Sequence, residues 1–354
     1  SDVAITGTKI SLVKANIPAS DAKRVIDATG LYVVPGLIDA HSHLFAGNAR
    51  GAHADGEYSV YPDGFTFRTG TTTIVDAGSS GWRNFKAFHE GVIAISHTRI
   101  LAWLNIVGLG LSGKELSQNV SDMNSDKAAQ MAAEYPGTIV GFKTVQYQAP
   151  DWINVDRAIE AGTKANLPVF IDFGTFYPEQ RSYQDLVLKK LRAGDIFTHM
   201  YKNEGSDAHR VPLFDKEGKL LPYLAEARKR GVKFDLGHGL GNFNFPTVVP
   251  AIRQGWWPDA ISTDLHAEDV NHAVKDLNNL MSKVMNIGIP FKDIINLTTW
   301  SPAQMIRRPD LGHLSVGAVA DVAVLNIVKG DFGFIDIRGL RMSGKERIVC
   351  ELTI

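Results

Sequence analysis

A single cysteine, Cys350, is all the thiol chemistry in 354 residues, so no intramolecular disulfide can staple the fold. That scarcity suits a reducing compartment, and a cytoplasmic location is the expectation. Excess charge of either sign is missing too: Lys plus Arg number 37 against 38 for Asp plus Glu, a formal net charge of -1. With no block of like charge, nothing points to nucleic-acid binding or to an anionic membrane surface. No apolar run reaches the roughly 18 residues a membrane helix requires, and the stretch after Ser1 does not read as a secretory signal. Solenoid repeats and low-complexity linkers are absent as well. What is present is 44% hydrophobic and 21% charged residues, ordinary for a globular enzyme and enough for a sizeable core.

The texture changes along the chain. Residues 1–35 hold short alternating runs such as "VAITGTKISLV" broken by turn residues, and the stretch from about Gly312 has the same β character. Between them, apolar strands alternate with helix-like segments. The strands read as "YVVPGLIDAHSH", "TTTIVDAGS", "RILAWLNIV", "TIVGFKTV", "LPVFIDFG", "DIFTHMY", "VKFDLGHG" and "DAISTDLH". Several are continuous Val/Ile/Leu runs, the pattern of parallel strands covered on both sides. "NVDRAIEAGTKAN" and "LLPYLAEARKRG" carry helical periodicity, the second stopping at a glycine. Eight strand-then-helix units predict an α/β protein with a (β/α)8 barrel over residues 36–311. The two β-rich ends, 1–35 and 312–354, are expected to meet as one small β-sandwich. The long connection 46–70, rich in glycine and aromatics, is expected over the barrel mouth.

Chemistry-bearing residues fall at strand C-termini, the rim where barrel enzymes act. In "LIDAHSHLF", Asp39, His41 and His43 recur at every second position, so a strand would send all three to one face. Lys143 lies late in strand four, Asp172 late in strand five, and His199, His238 and Asp264 end strands six, seven and eight. A lone strand-end histidine is usually a hydrogen-bonded core residue. The seven rim residues other than Asp39 would cost several kcal/mol if buried unpaired, and a metal centre satisfies their lone pairs.

These stretches resemble the amidohydrolase superfamily almost end to end, through "VIDATGLYVVPGLIDAHSH" at the entry and "TTWSPAQMIRRPDLGHLSVGAVADVAVLN" at the exit. "GFKTV", "FTHMYKN", "DLGHG" and "ISTDLH" are most similar to its dihydroorotase-like subgroup, which includes hydrolases of acetyl esters of α-hydroxy acids. The resemblance implies two divalent ions, zinc by preference, in the barrel. His41, His43 and Asp264 would bind the more buried ion, and a carboxylated Lys143 would bridge the pair. His199 would bind the second ion, with Asp172 standing where the family has a histidine. Asp264 would be the general acid/base. His238 is expected to face substrate, with a ligand role as the alternative. His266 and Tyr201 are further candidates for substrate contact, and Tyr147 and Asn203 for the pocket wall. Asp39 is expected to hold one histidine in its tautomer. Arg50 and Arg68 are candidate anchors for a substrate carboxylate, and His53 lies in the mouth loop; His89, His97, His209, His272 and His313 read as structural or solvated.

The expectation is a metal-dependent hydrolase of a small amide or ester, acting on a small-molecule substrate and forming a homo-oligomer. A mononuclear lyase, isomerase or deaminase on the same barrel is the rival, favoured by Asp172. A non-catalytic scaffold is the third reading, opposed by the joint presence of His41, His43, Lys143, His199 and Asp264.

Overall fold

The computed structural model describes residues 1–45, 59–111, 118–177, 179–203 and 210–354. Arg50, His53 and His209 lie outside the described residues. The strands are β1 (Asp2–Thr6), β2 (Lys9–Lys14), β3 (Tyr32–Pro35), β4 (Leu37–Ser42), β5 (Thr71–Gly81), β6 (Arg99–Asn105), β7 (Ile139–Thr144), β8 (Val169–Ile171), β9 (Ile196–Phe197), β10 (Lys233–Phe234), β11 (Val322–Ile335) and β12 (Arg341–Thr353).

β4 to β10 form one parallel sheet in sequence order, each strand beside the next. Segment 259–265 closes it. On one side Leu236, His238 and Gly239 donate their N–H groups to Ala260, Ser262 and Thr263 carbonyls; on the other, Asp264 N–H donates to the His41 carbonyl and His43 N–H to that of Leu265. The ring of strands is therefore a closed eight-membered barrel, as the alternation of apolar runs and helices predicts.

Two hydrophobic clusters follow from that closure. Ala40, Val75, Leu101, Trp103, Val140, Phe170, Ile196 and Ala260 come from nearly every strand yet pack together, which only the barrel interior permits. Trp103 and Phe170 stack there at 4.9 Å. Leu37, Ile74, Ile100, Phe142, Val169 and Phe197 instead face the outer helices. Helices form at Ile153–Lys164 and Pro222–Lys229, where the sequence periodicity places them, and Gly231 (φ 89°) turns the chain after the second.

Both termini build the side assembly. β1 pairs antiparallel with β2, Lys9 bridges to Val319, and β3, β11 and β12 form a three-stranded antiparallel sheet. "YVVPGLIDAHSH" is not one strand, however. Its first half pairs with β11 and its second half with β5, the switch occurring at Gly36. A Cβ at Gly36 would lie 2.1 Å from Thr72 Oγ1, so the change of sheet requires a residue without a side chain. Among the described residues, no helix is long and apolar enough to cross a membrane.

Candidate metal centre

The polar strand ends converge. His41 Nε2 and His43 Nε2 lie 3.2 and 3.1 Å from the same oxygen of Asp264, Oδ1, and Lys143 Nζ lies 3.1 Å from His41 Nε2. His199 Nε2 is 3.8 Å from Oδ2 of Asp264 and 3.8 Å from Oδ2 of Asp172. All six side chains are buried. Two groups of candidate ligands result, His41–His199–Asp264 and His43–Asp264–His266, each with its donor atoms within 4.8 Å of one another. Asp264 belongs to both. The resemblance placed His41 and His43 together on one ion; here the two rings meet at Asp264 but fall into different groups.

Local backbone sets this geometry. His199 and Asp264 adopt left-handed φ values of 61° and 52°, a conformation that costs a non-glycine residue about 1–3 kcal/mol and is retained where the surroundings enforce it. Asp264 is held there by its N–H bond to the His41 carbonyl, 2.7 Å long. Gly237 supplies the carbonyl that His199 Nδ1 meets at 2.9 Å, and Gly239 lies so close to Asp264 that a Cβ would sit 2.1 Å from Oδ2.

Each imidazole is fixed from behind. His41 Nδ1 faces Thr198 Oγ1 at 3.1 Å and Asp235 Oδ2 at 3.3 Å, and His43 Nδ1 faces Ser79 Oγ at 3.0 Å. Such partners orient a ring and select its tautomer. Asp235, Thr198 and Ser79 are functional residues the sequence reading missed; the available signal was an acidic residue inside the apolar strand "VKFDLG". Asp39, expected in that role, touches neither ring. Its carboxylate accepts from Thr263 N–H (3.0 Å) and Oγ1 (2.6 Å), tying β4 to segment 259–265.

Burial dominates the electrostatics. It drives His41 and His43 well below the usual histidine range, toward the neutral form that metal ligands require. It also lowers the Lys143 ammonium, against the pull of Asp172 and Asp264. For Asp264 burial acts upward, but the surrounding imidazoles, His41 first, outweigh it and hold the carboxyl well below its ordinary value. Asp172 behaves likewise, lowered mainly by Lys202 at 4.0 Å and by His199. Among the described residues, Asp172 Oδ1 is buried without a hydrogen-bond partner, with Lys202 Nζ at 4.0 Å. Imidazole nitrogens, ionised carboxylates and a carboxylate oxygen without a hydrogen bond fit a divalent cation.

Asp39 gives a pH-dependent test of the surrounding frame. Burial pushes its carboxyl up to about 7, against bonds from Thr263 and the His41 N–H. A carboxyl raised on folding from 3.8 holds its proton more tightly in the folded chain. Its contribution is complete below about pH 4 and is lost as the pH rises through about 7. Asp39→Asn lacks this dependence. The melting temperature of the metal-free variant, relative to wild type, is expected to rise between about pH 5 and pH 8; a constant difference would show Asp39 ionised throughout.

The remaining candidates separate. His266 joins the site: its ring stacks on His43 at 4.2 Å, and Nδ1 meets the Asp264 carbonyl at 2.8 Å and Asp269 Oδ2 at 3.3 Å. With a side chain 20% exposed against 7% or less for His41, His43, His199 and Asp264, it is the most open of these. His238 turns away from the ligand groups, with Nδ1 on the Gly239 carbonyl and Nε2 3.0 Å from Lys283 Nζ. Tyr201 is a core residue whose hydroxyl donates to the Trp256 carbonyl, and Tyr147 likewise packs in the outer core. Asn203 bonds Thr247 and Arg210. Arg68 precedes β5, at the rim opposite the site, and lies over Phe65. Lys202, unremarked in the sequence, brings a buried cation beside Asp172.

The comparisons with known proteins agree with this architecture. A family model described as the amidohydrolase family matches residues 24–74. A deacetylase of Agrobacterium fabrum is 31% identical over 348 residues, spanning 96% of this chain and 81% of its own. A deacetylase of Enterococcus faecalis is 27% identical over 98% of this chain and 91% of its own. Among solved structures, an adenine deaminase superposes with a TM-score of 0.89 at 27% identity, covering 99% of this chain and 93% of its own. A dihydroorotase does so with a TM-score of 0.83 at 28% identity, covering 99% and 92%.

Proposed function

This chain belongs to the amidohydrolase superfamily, among its dihydroorotase-like members, and from that premise we propose that it hydrolyses a small acyl ester or amide at a centre of two divalent ions, zinc by preference. Metal-dependent hydrolysis is the chemistry of the superfamily; the substrate class is read from the deacetylase relatives. The observation that carries the proposal is the meeting of His41 Nε2 and His43 Nε2 at one buried oxygen of Asp264, with Lys143 Nζ behind.

Because both rings meet Asp264 Oδ1, His41, His43 and Asp264 would hold one ion, and His199 and Asp172 the other, although His41 also lies within reach of the His199 group. When bound, divalent ions lower the pKa of a water toward about 7 and polarise a carbonyl oxygen. Lys143 enters as its carbamate: the neutral amine favoured by burial forms an N–C bond to CO2 and releases one proton, which turns a would-be cation into an anionic bridge. Asp264, kept ionised by its imidazole neighbours, accepts the proton of the attacking water and returns it to the leaving group. His266, the most open of the site's histidines, faces the substrate side.

The mononuclear rival has its own observation. Asp172 is already paired with Lys202 and His199, and the adenine deaminase similarity brings C–N deamination within the same scaffold. Metal content and product decide between them. Protein purified without chelators, with bicarbonate present, is expected to carry about two ions per chain and to release carboxylic acid from acetyl esters or amides. Chelation should abolish this and metal restore it. One ion with ammonia released from an aminopurine would favour the rival, and hydrolysis undiminished without metal would sink both.

A further inference from the structure

His238 and Lys283 form a buried pair that the mechanism above does not use. Lys283, on the helix Leu277–Ile287, is fully buried; its Nζ donates to His238 Nε2 at 3.0 Å and to the Ala273 carbonyl at 2.5 Å. His238 Nδ1–H reaches the Gly239 carbonyl at 3.0 Å, so Nε2 is the acceptor that a lysine N–H requires. The ring lies flat on Phe243, with centroids 4.5 Å apart and 8° between planes. Both ring nitrogens and one face of the imidazole are thus engaged within the protein.

What this ring holds is the segment Gly237–His238–Gly239. Its two glycines have φ values of 51° and 42°, and they touch two candidate ligands: the Gly237 carbonyl faces His199 Nδ1, and Gly239 lies against Asp264 Oδ2. Flanking glycines leave a backbone free to move. Its backbone N–H groups bond Ser262 and Thr263, and the one side chain it carries, His238, ties it further to Lys283, the ring's side-chain hydrogen-bond partner among the described residues. Ser282, next in sequence, accepts from Ile348 N–H of β12, so the anchor is set in a helix tied to the terminal sheet.

We infer that Lys283 is a positioning residue of the metal centre, holding His238 so that the glycine segment keeps His199 and Asp264 in ligand geometry. Burial pushes the Lys283 ammonium down to about 7, in keeping with a donor that makes neutral hydrogen bonds rather than an ion pair. The inference rests on the metal-centre reading, but its readout is cation affinity and needs no substrate.

The experiment is competition for Zn²⁺ between a chromophoric chelator and the full chain, for wild type, Lys283→Met, His238→Asn and the double variant. Each single variant is expected to bind about 10–100-fold more weakly, the effect of removing a partner behind a ligand. The double variant should be no weaker than either single one, because the pair acts as a unit. Leu280→Ala, a core truncation on the same helix, separates positioning from stability: its melting temperature should fall while its affinity stays within about twofold of wild type. Should Lys283→Met not fold, His238→Asn carries the same comparison. Affinities unchanged in the variants, additive losses in the double variant, or an equal loss in Leu280→Ala would overturn the inference and leave the metal-centre reading standing. A wild-type chain that binds no Zn²⁺ would overturn both.

Discussion

Asp264→Asn, reloaded with metal, is expected to retain its fold and lose turnover by about three orders of magnitude, within the 10²–10⁴-fold range of a positioned general acid or base. Asn keeps the shape and one acceptor oxygen, so the 3.1 Å contact from His43 can persist. What disappears is the charge and the ability to take a proton. Histidine neighbours hold Asp264 well below the ordinary carboxyl range, so the wild-type group is ionised from mildly acidic pH upward, and its own titration should not appear in a rate profile near neutrality. The measurement is kcat at saturating metal together with metal content. Loss of metal alone would lower the amount of active enzyme but not the rate per loaded centre. A reloaded variant within tenfold of wild type would show that Asp264 is a ligand and nothing more.

The barrel was legible because each strand announces itself twice, by an apolar run and by the polar residue that ends it. "DIFTHMY" and "DAISTDLH" place His199 and Asp264 at the rim with no further information. Legibility failed where the backbone leaves the strand conformation. A period-two count beyond β9 puts Tyr201 on the same face as His199, yet the left-handed φ at His199 breaks the alternation and sends Tyr201 into the outer core. The same holds for His238, whose flanking glycines turn it toward Lys283 instead of the mouth. Supporting partners were hidden for another reason. Asp235 meets His41 across 194 positions of sequence, and no local spacing reports a contact made only when the barrel closes. Asp39 shows the converse error: its register was right, but its neighbour across the closing seam, Thr263, offers two donors nearer than any ring.

Lys143→Ala is expected to lose metal and activity together, to below about 1% of wild-type turnover, a loss beyond that of a partner behind a ligand. An unmodified lysine would lead to the opposite expectation. An ammonium 3.1 Å from His41 Nε2 repels a cation, so its removal would improve metal binding. The variant therefore reads the chemical state of the side chain as well as its importance. Lys143 is buried, a setting that disfavours charge on nitrogen and favours the free amine needed for CO2 addition. Truncation leaves a space beside His41 in which a small carboxylate from solution can stand where the carbamate stood. Partial recovery of metal content by acetate or propionate is thus expected in Lys143→Ala, with none in wild type, and carbon-13 bicarbonate should label wild type alone. Melting curves control for collapse of the barrel interior. A folded Lys143→Ala chain with full metal and full activity would end the carbamate reading, because an anionic bridge that can be deleted without consequence bridges nothing.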